Sequence, residues 1–129
     1  MSMNDHRVGL VLAVSDMGAA KEFYEGKLGL TPSETQDDVL RSYECGEGTG
    51  LTIYVSPEHA GKSTATLGGW EVDDLEKVMG ELGAKGVEFE RYDQEDLKTN
   101  EKGVFEGPGF RAAWFKDPDG NTHAINQST

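Results

Sequence analysis

The fold is indicated most clearly by the stretch Val8-Gly9-Leu10-Val11-Leu12-Ala13-Val14-Ser15-Asp16-Met17 near the start of the chain. Its first part is a continuous apolar run of strand length, which predicts a buried β-strand. Ser15 and Asp16 follow, and either side chain can accept a hydrogen bond from the first turn of a helix. Apolar residues then recur at helical spacing. They are Met17, Ala20, Phe23, Tyr24 and Leu28. We therefore expect a strand that leads directly into a capped helix, which Gly29 ends.

The same order of elements returns in the second half of the chain. Residues 64–72 read as a strand that runs into Asp73-Asp74. Behind them an apolar stripe with helical spacing predicts a second helix. The stripe consists of Leu75, Val78, Met79 and Leu82. Asp73 with Glu76 three residues later resembles a capping box, and we expect the helix to close at Gly83 and Gly86.

Short strands joined by glycine-rich turns are expected after each helix. In the first half we place them near residues 33–35 and at 39–45 and 51–55. In the second half we place them at 87–91, 104–106, 110–116 and 122–126. Asp117-Pro118-Asp119-Gly120 is a strong turn signal between the last two. The halves therefore each read as a βαβββ unit, and two such units cover each other's apolar sheet faces.

Length and charge restrict the class of protein. A chain of 129 residues is enough for one domain. The net charge of −12 repels phosphate backbones and anionic lipids, so we expect no nucleic-acid and no membrane partner. Cationic or neutral small molecules are the easier partners. We find no run long enough to span a membrane and no signal-peptide pattern, and Cys45 is the single cysteine. We therefore expect a cytoplasmic protein.

Several motifs together resemble one known family. In the first half they are Val14-Ser15-Asp16-Met17, Phe23-Tyr24 and Leu28-Gly29-Leu30. In the second half they are residues 70–75, residues 86–89 and Phe115-Lys116-Asp117-Pro118-Asp119-Gly120-Asn121. The chain is similar in these motifs to the vicinal oxygen chelate superfamily, which includes glyoxalase I, extradiol dioxygenases, fosfomycin-resistance enzymes and bleomycin-resistance proteins. The resemblance covers roughly residues 7 to 127.

The resemblance implies an α+β fold in which two βαβββ modules form curved mixed sheets around a shared cavity. The whole chain, residues 1–129, would be one domain, with module one at about 7–57 and module two at about 64–127. A homodimer is implied as well, and modules that pair within one chain or swap between chains both remain open. No single reaction is implied, because this scaffold carries several chemistries and also plain binding.

Metal-dependent members of the superfamily hold one divalent ion with His and Glu side chains from four strands. The matching positions in this chain are Gly9, Ile53 or Tyr54, Leu67 and Ala124. None of these residues is an ordinary ligand for a divalent cation. His6, His59 and His123 do not fall on the four positions. We therefore expect no metal site and no cofactor.

A cavity that binds a small molecule is then the remaining candidate site. The candidate ligand-binding residues are Tyr43, Tyr54, Gly69, Glu71, Arg111 and Trp114. Glu71 would attract a cation or act as a general base, and the aromatic residues, with Trp70 among them, would stack on a flat ligand or simply pack. Arg41 and Arg111 hold matching places in the two halves and would pair with a ligand anion or with a nearby carboxylate. The polar segment 91–109 is either a binding loop or a solvated connection.

These observations favour a metal-independent binding protein of the bleomycin-resistance type, which sequesters a small organic ligand in a module or dimer cavity. The alternative is a lyase or isomerase of glyoxalase type, either metal-free with Glu71 as base or with displaced metal ligands. A small accessory subunit with a vestigial cavity is a third hypothesis. No Ser–His–Asp or Cys–His set supports nucleophilic catalysis.

Overall fold

The computed structural model describes residues 2–33 and 37–129, and the chain forms two compact units, Met1–Lys62 and Ser63–Thr129. Over the described residues, no helix is both long enough and apolar enough to cross a membrane. Both units combine helix with a mixed sheet, so the predicted α+β class is confirmed.

The first unit has a three-stranded sheet covered on one face by a helix. Its elements are β1 (Leu10–Val14), α1 (Met17–Lys21), a π-helical segment (Glu22–Lys27), β2 (Leu40–Glu44) and β3 (Gly50–Val55). The strand order is β1-β3-β2, with β3 parallel to β1 and antiparallel to β2. The central strand, β3, is the last of the three strands in sequence. It runs parallel to β1, and two parallel strands have to be joined by a crossover connection, which here contains the helix and β2.

The core of the first unit forms between the helix and alternate residues of the strands. Leu12, Val14 and Ile53 are buried on the helix-facing side. The predicted helical stripe is buried against them over Met17, Ala20, Phe23 and Tyr24. Each large apolar side chain contributes roughly 1.5–3 kcal/mol of burial free energy. The opposite face of this sheet is open, and Val11 there is 62% exposed.

Two expectations for the first unit need correction. The helix is not regular to its end, because the Leu28 amide donates to the Phe23 carbonyl at 2.9 Å, a π-type bond across five residues. The strand expected near residues 33–35 lies partly outside the described residues. What the structure describes there is a single β-bridge between Pro32 and Tyr43. Proline has no amide hydrogen to donate, so it suits an isolated edge contact.

The second unit has a four-stranded sheet and one helix. Its elements are β4 (Thr66–Glu71), α2 (Leu75–Ala84), the hairpin β5 (Asp93–Gln94) and β6 (Leu97–Lys98), β7 (Phe105–Gly107), β8 (Phe110–Lys116) and β9 (Thr122–Ser128). The strand order of the large sheet is β4-β9-β8-β7, with β4 and β9 parallel and the other neighbours antiparallel. As in the first unit, the last strand in sequence, β9, lies next to the first one, β4.

Four expectations for the second unit need correction. The helix is capped by Asp74, whose carboxylate accepts from the Lys77 amide at 3.2 Å, and not by Asp73. The helix also continues through Gly83. The strand predicted at 87–91 is reduced to one bridge between Phe89 and Phe115. The hairpin β5–β6 lies in the polar segment 91–109, for which the sequence predicted no strands. It was missed because the charged side chains of this segment do not show the residue types typical of a strand.

Candidate functional site

The register of the second sheet separates its side chains into two faces. Residues directly opposite each other share a face, so Trp114, Ala124 and Gly69 lie on the same side across β8, β9 and β4. The helix α2 covers the other side. We call the side that faces away from α2 the open face. It carries Thr66, Gly69, Glu71, Phe105, Gly107, Phe110, Ala112, Trp114, Lys116, Thr122, Ala124, Asn126 and Ser128.

The middle of the open face is floored by small residues. Gly69 is exposed, and a Cβ built there would meet nothing nearer than the Asn126 Nδ2 atom at 3.7 Å. Ala124 lies opposite it in the register and Ala112 lies one row further along; both add only methyl groups and both are buried, at 8% and 3% exposed. At Gly69 a flat molecule can approach the backbone directly, and at the two alanines it can do so where a covering side chain moves aside.

An aromatic cluster stands at one side of this floor. The ring centroid of Trp114 lies 5.5 Å from that of Tyr92 and 6.2 Å from that of Phe105. Phe105 lies 5.7 Å from Phe110, which is 37% exposed. Gly107 makes this approach possible, because a Cβ there would sit 2.8 Å from ring carbons of both phenylalanines. We call these four rings the aromatic cluster. Such rings present apolar faces and edges to a planar ligand.

A β-bulge at Leu67 brings one more polar group onto the open face. Thr66 pairs with Thr122 and Gly68 pairs with His123, so Leu67 is the additional residue of β4 and has no register partner. The bulge moves Thr66 onto the same face as Gly69, where simple alternation would put Leu67. There the Trp114 Nε1 donates to the Thr66 Oγ1 at 3.1 Å.

Glu71 provides negative charge at the far end of the floor. It is exposed and lies opposite Asn126 in the β4–β9 pair. The hairpin that follows Tyr92 adds the exposed carboxylates of Asp93, Glu95 and Asp96 to the same unit. Burial and then the charge of Glu90 raise the pKa of Tyr92, so its phenol stays neutral and suits stacking.

Two of the predicted site residues lie on helix-facing sides instead. Tyr43 is 2% exposed, and its hydroxyl donates to the Glu25 Oε2 at 2.8 Å, which also accepts from the Arg41 Nε at 2.6 Å. Burial and then this hydrogen bond raise the pKa of Tyr43. Burial raises the pKa of Glu25, but Arg41 and Tyr43 together bring it below its ordinary value. In the first unit, these contacts join helix to sheet.

In the second unit, Arg111 joins helix to sheet in the same way as Arg41 does in the first. Its guanidinium lies 2.8 Å from the Glu76 Oε1 on α2 and 3.0 Å from the Glu106 Oε1 on β7. Both arginines therefore pair with carboxylates, which is one of the two roles expected for them. Tyr54 lies on the uncovered face of the first unit, opposite Ala13. Of the six predicted residues, the structure brings Gly69, Glu71 and Trp114 onto one face.

The four positions that match metal ligands in the superfamily do not fit a metal ion here. A Cβ on Gly9 would lie 3.3 Å from the Gly50 carbonyl oxygen, so a ligand side chain there would be crowded. Ile53 is fully buried towards the helix, Leu67 is the bulge residue, and Ala124 has no donor. Over residues 2–33 and 37–129, no group of three or more His, Cys, Asp or Glu side chains is arranged to hold a metal ion.

The histidines lie elsewhere. His123 is fully buried on the helix-facing side, with its ring 5.4 Å from Trp70 and 5.6 Å from Phe115, so the half-buried Trp70 packs against the core. His59 Nδ1 is 2.8 Å from the Ser56 Oγ in a surface turn, and His6 is exposed.

Sequence reasoning missed Phe105, Phe110 and Thr66 as open-face residues. Phe110 had a signal, because counting back from Ala124 through the turn at 117–120 puts Trp114, Ala112 and Phe110 on one face. Phe105 had none, because its face follows from its pairing with Ala112 across β7 and β8. Nothing in the sequence indicated Thr66, because a bulge cannot be recognised from the alternation of apolar and polar residues.

Comparisons with known proteins agree with this fold. Residues 6–125 match the family model of the Glyoxalase/Bleomycin resistance protein/Dioxygenase superfamily. A glyoxalase/bleomycin resistance protein from Catenulispora acidiphila is 27% identical, with a TM-score of 0.71 over 95% of this chain and 98% of that one. TnmS3, an antibiotic binding protein from Streptomyces sp. CB03234, is 25% identical, with a TM-score of 0.72 over 96% of each chain. A lactoylglutathione lyase from Agrobacterium tumefaciens shares the fold at 17% identity and a TM-score of 0.65, over 95% of this chain and 92% of that one. No curated protein matches the chain.

Proposed function

Because the chain belongs to the glyoxalase/bleomycin resistance protein/dioxygenase superfamily, we propose that it binds and sequesters a flat organic molecule of the antibiotic type, without a metal ion and without chemical conversion. The observation that carries this proposal is the aromatic cluster beside the small-residue floor of Gly69, Ala112 and Ala124 on the open face. Sequestration needs shape and stacking, and it needs neither a nucleophile nor an ion.

The chemistry of the open face favours a planar ligand with positive charge. A ring placed on the floor meets the edge or face of Trp114, and aromatic contacts of this kind contribute about 0.5–1.5 kcal/mol beyond the area they bury. Glu71 at the other end of the floor attracts a cationic substituent. The net charge of −12 raises the local concentration of cations around the whole chain.

Similarity to an antibiotic binding protein supports the same class of ligand. We further propose that the protein works as a homodimer in the cytoplasm. Light scattering should then give a mass near twice the 14.0 kDa of one chain.

The proposal is tested with proflavine, a planar cationic dye whose fluorescence reports binding. The Trp114→Ala variant should bind proflavine about tenfold more weakly, because stacking is lost. Glu71→Gln should weaken proflavine but leave the neutral ring compound 2-naphthol unaffected. Glu81→Gln, at an exposed position on α2, and Trp70→Phe, on the helix-facing side, are the matched controls. Equal proflavine affinity in wild type and Trp114→Ala would refute the proposed site.

The lyase or isomerase alternative makes a different prediction for Glu71. Its carboxylate lies on the open face beside Asn126, where a base would have to stand. An enzyme of that type should turn over the hemithioacetal of methylglyoxal and glutathione, and Glu71→Gln should abolish the turnover. A binding protein shows no turnover, and added EDTA leaves its proflavine affinity unchanged.

A further inference from the structure

The indole of Trp114 crosses the strand that lies beside it. Trp114 is on β8 and its hydrogen-bond partner Thr66 is on β4, and β9 runs between these two strands. Neighbouring strands are about 4.8 Å apart, so the indole has to pass over β9 to reach the Thr66 hydroxyl. The residues of β9 opposite these two are Ala124 and Thr122. Both are almost fully buried, at 8% and 2% exposed.

Thr122 is left in an unusual state by this arrangement. Its Oγ1 is buried and, among the residues that the structure describes, has no hydrogen-bond partner. Buried hydroxyls are normally paired, and an unpaired one is destabilising until a partner arrives. The Thr122 side chain is on the open face, directly opposite Thr66 in the parallel pair. Thr122 and Thr66 are therefore direct cross-strand neighbours on the open face, and the Thr66 hydroxyl holds the edge of the indole.

The contacts that hold the indole over β9 are weak. The Trp114–Thr66 hydrogen bond is at the exposed surface, where water competes for both partners. Tyr92 and Phe105 also pack near the indole, with ring centroids 5.5 and 6.2 Å away. An indole that turns away from Thr66 uncovers Ala124, whose methyl group leaves space for a ring.

We propose that the Trp114 indole is a removable cover over a polar subsite: the indole turns aside and stacks on the aromatic ring of the ligand, and the uncovered Thr122 hydroxyl binds an oxygen substituent of that ring. This subsite rests on the binding function proposed above and makes it more specific. A phenolic hydroxyl suits it, because it can donate to one threonine oxygen and accept from the other. The ligand class is thus an aromatic ring that carries a hydroxyl or carbonyl oxygen at its edge.

Two probes of similar shape test the subsite, 2-naphthol and 2-methylnaphthalene. Wild type should bind 2-naphthol at least fivefold more tightly. Thr122→Val keeps the shape of the side chain and removes the hydroxyl, so the preference should disappear while the affinity for 2-methylnaphthalene is unchanged. Thr64→Val, at an exposed position of the same unit, is the matched control. Since Thr122→Val removes a buried unpaired hydroxyl, its melting temperature should not fall, and loss of binding then cannot be ascribed to unfolding.

The movement of the cover is measured separately by NMR. The indole N–H signal of Trp114, identified by comparison with Trp70→Phe, should exchange faster with water when 2-naphthol is bound, because its bond to Thr66 is then broken. Thr66→Val should show the fast exchange without any ligand. A preference for 2-naphthol that survives in Thr122→Val, a protected N–H in the complex, or no binding of 2-naphthol overturns the subsite. Proflavine binding that persists in those cases leaves the proposed function standing.

Discussion

The buried His123 shows how strongly position alters the chemistry of one residue. It is one of only three histidines and does not fall on a position that matches a metal ligand, and its ring lies in the core against Trp70 and Phe115. Burial lowers the pKa of His123 to about 4, and the charge of Asp117 offsets this only in part. The folded protein therefore holds a neutral imidazole at neutral pH.

This lowered pKa predicts a loss of stability in mild acid. Well above pH 6.5 the imidazole is neutral in both states and its titration has no effect on stability. Between pH 6.5 and about 4 the unfolded chain binds a proton that the folded chain does not, so stability falls as the pH falls. At pH 4 the free energy of unfolding should be roughly 3 kcal/mol lower than at neutral pH because of this group. Urea unfolding of wild type at pH 7, 6 and 5 should show this decline.

The matched variant His123→Gln has no group that titrates in this range. The stability difference between wild type and His123→Gln should therefore shrink as the pH falls from 7 to 5. A constant difference would mean that His123 is protonated as easily in the folded chain as in the unfolded one. Carboxylates such as Glu25, whose pKa lies below its ordinary value, lose their contribution only at lower pH.

At the scale of elements, helix α2 shows that a capping pattern in the sequence can predict the right kind of residue one position away from the residue that caps the helix. Both Asp73 and Asp74 can act as N-cap by residue type, and the structure uses Asp74. Its position follows from tertiary contact, because the Leu75 amide is already bound by the Gln127 side chain of β9 at 2.8 Å. That bond sets where the first helical turn starts.

The two aspartates therefore predict different losses of stability on substitution. Asp74→Ala should lower the free energy of unfolding by about 1 kcal/mol, because the Lys77 amide loses its acceptor. Asp73→Ala, one residue earlier and also exposed, should change it by less than about 0.5 kcal/mol. Urea denaturation of both variants measures the comparison. Equal losses would show that the cap is shared.

For the whole molecule, the excess of acidic residues acts over distances longer than any single contact. Asp and Glu outnumber Lys and Arg by two to one, at 24 against 12. Their summed field attracts a cationic ligand before it reaches Glu71. Dissolved salt screens that field, with a Debye length of about 30 Å at 0.01 M and about 10 Å at 0.1 M.

Salt should therefore separate long-range attraction from stacking. Proflavine affinity should fall several-fold between about 0.01 M and about 0.5 M NaCl, whereas 2-naphthol, which is neutral, should bind equally at both. Fluorescence titration at the two concentrations measures this difference. Salt-independent proflavine binding would mean that the ring alone determines affinity.

Much of the fold could be predicted because its signals are local. The strand at 110–116 is confirmed at both ends, and the second helix starts at Leu75 as its stripe indicates. The strand at 87–91 failed because its residues pair with the sheet only at Phe89, and pairing is a property of the neighbour as much as of the segment. The candidate site was predicted in part, through Gly69, Glu71 and Trp114, because alternation along one strand assigns faces correctly until a bulge intervenes.

By itself the sequence determined the α+β class, the order of elements and the absence of ligand side chains at Gly9, Leu67 and Ala124, because these depend on residue type and short-range periodicity. Only the tertiary structure decided that the bulge at Leu67 turns Thr66 onto the open face, and that the Trp114 indole crosses β9 to meet it. Those two residues are 48 positions apart. Their meeting depends on which strands become neighbours and in what register, and no local pattern encodes that.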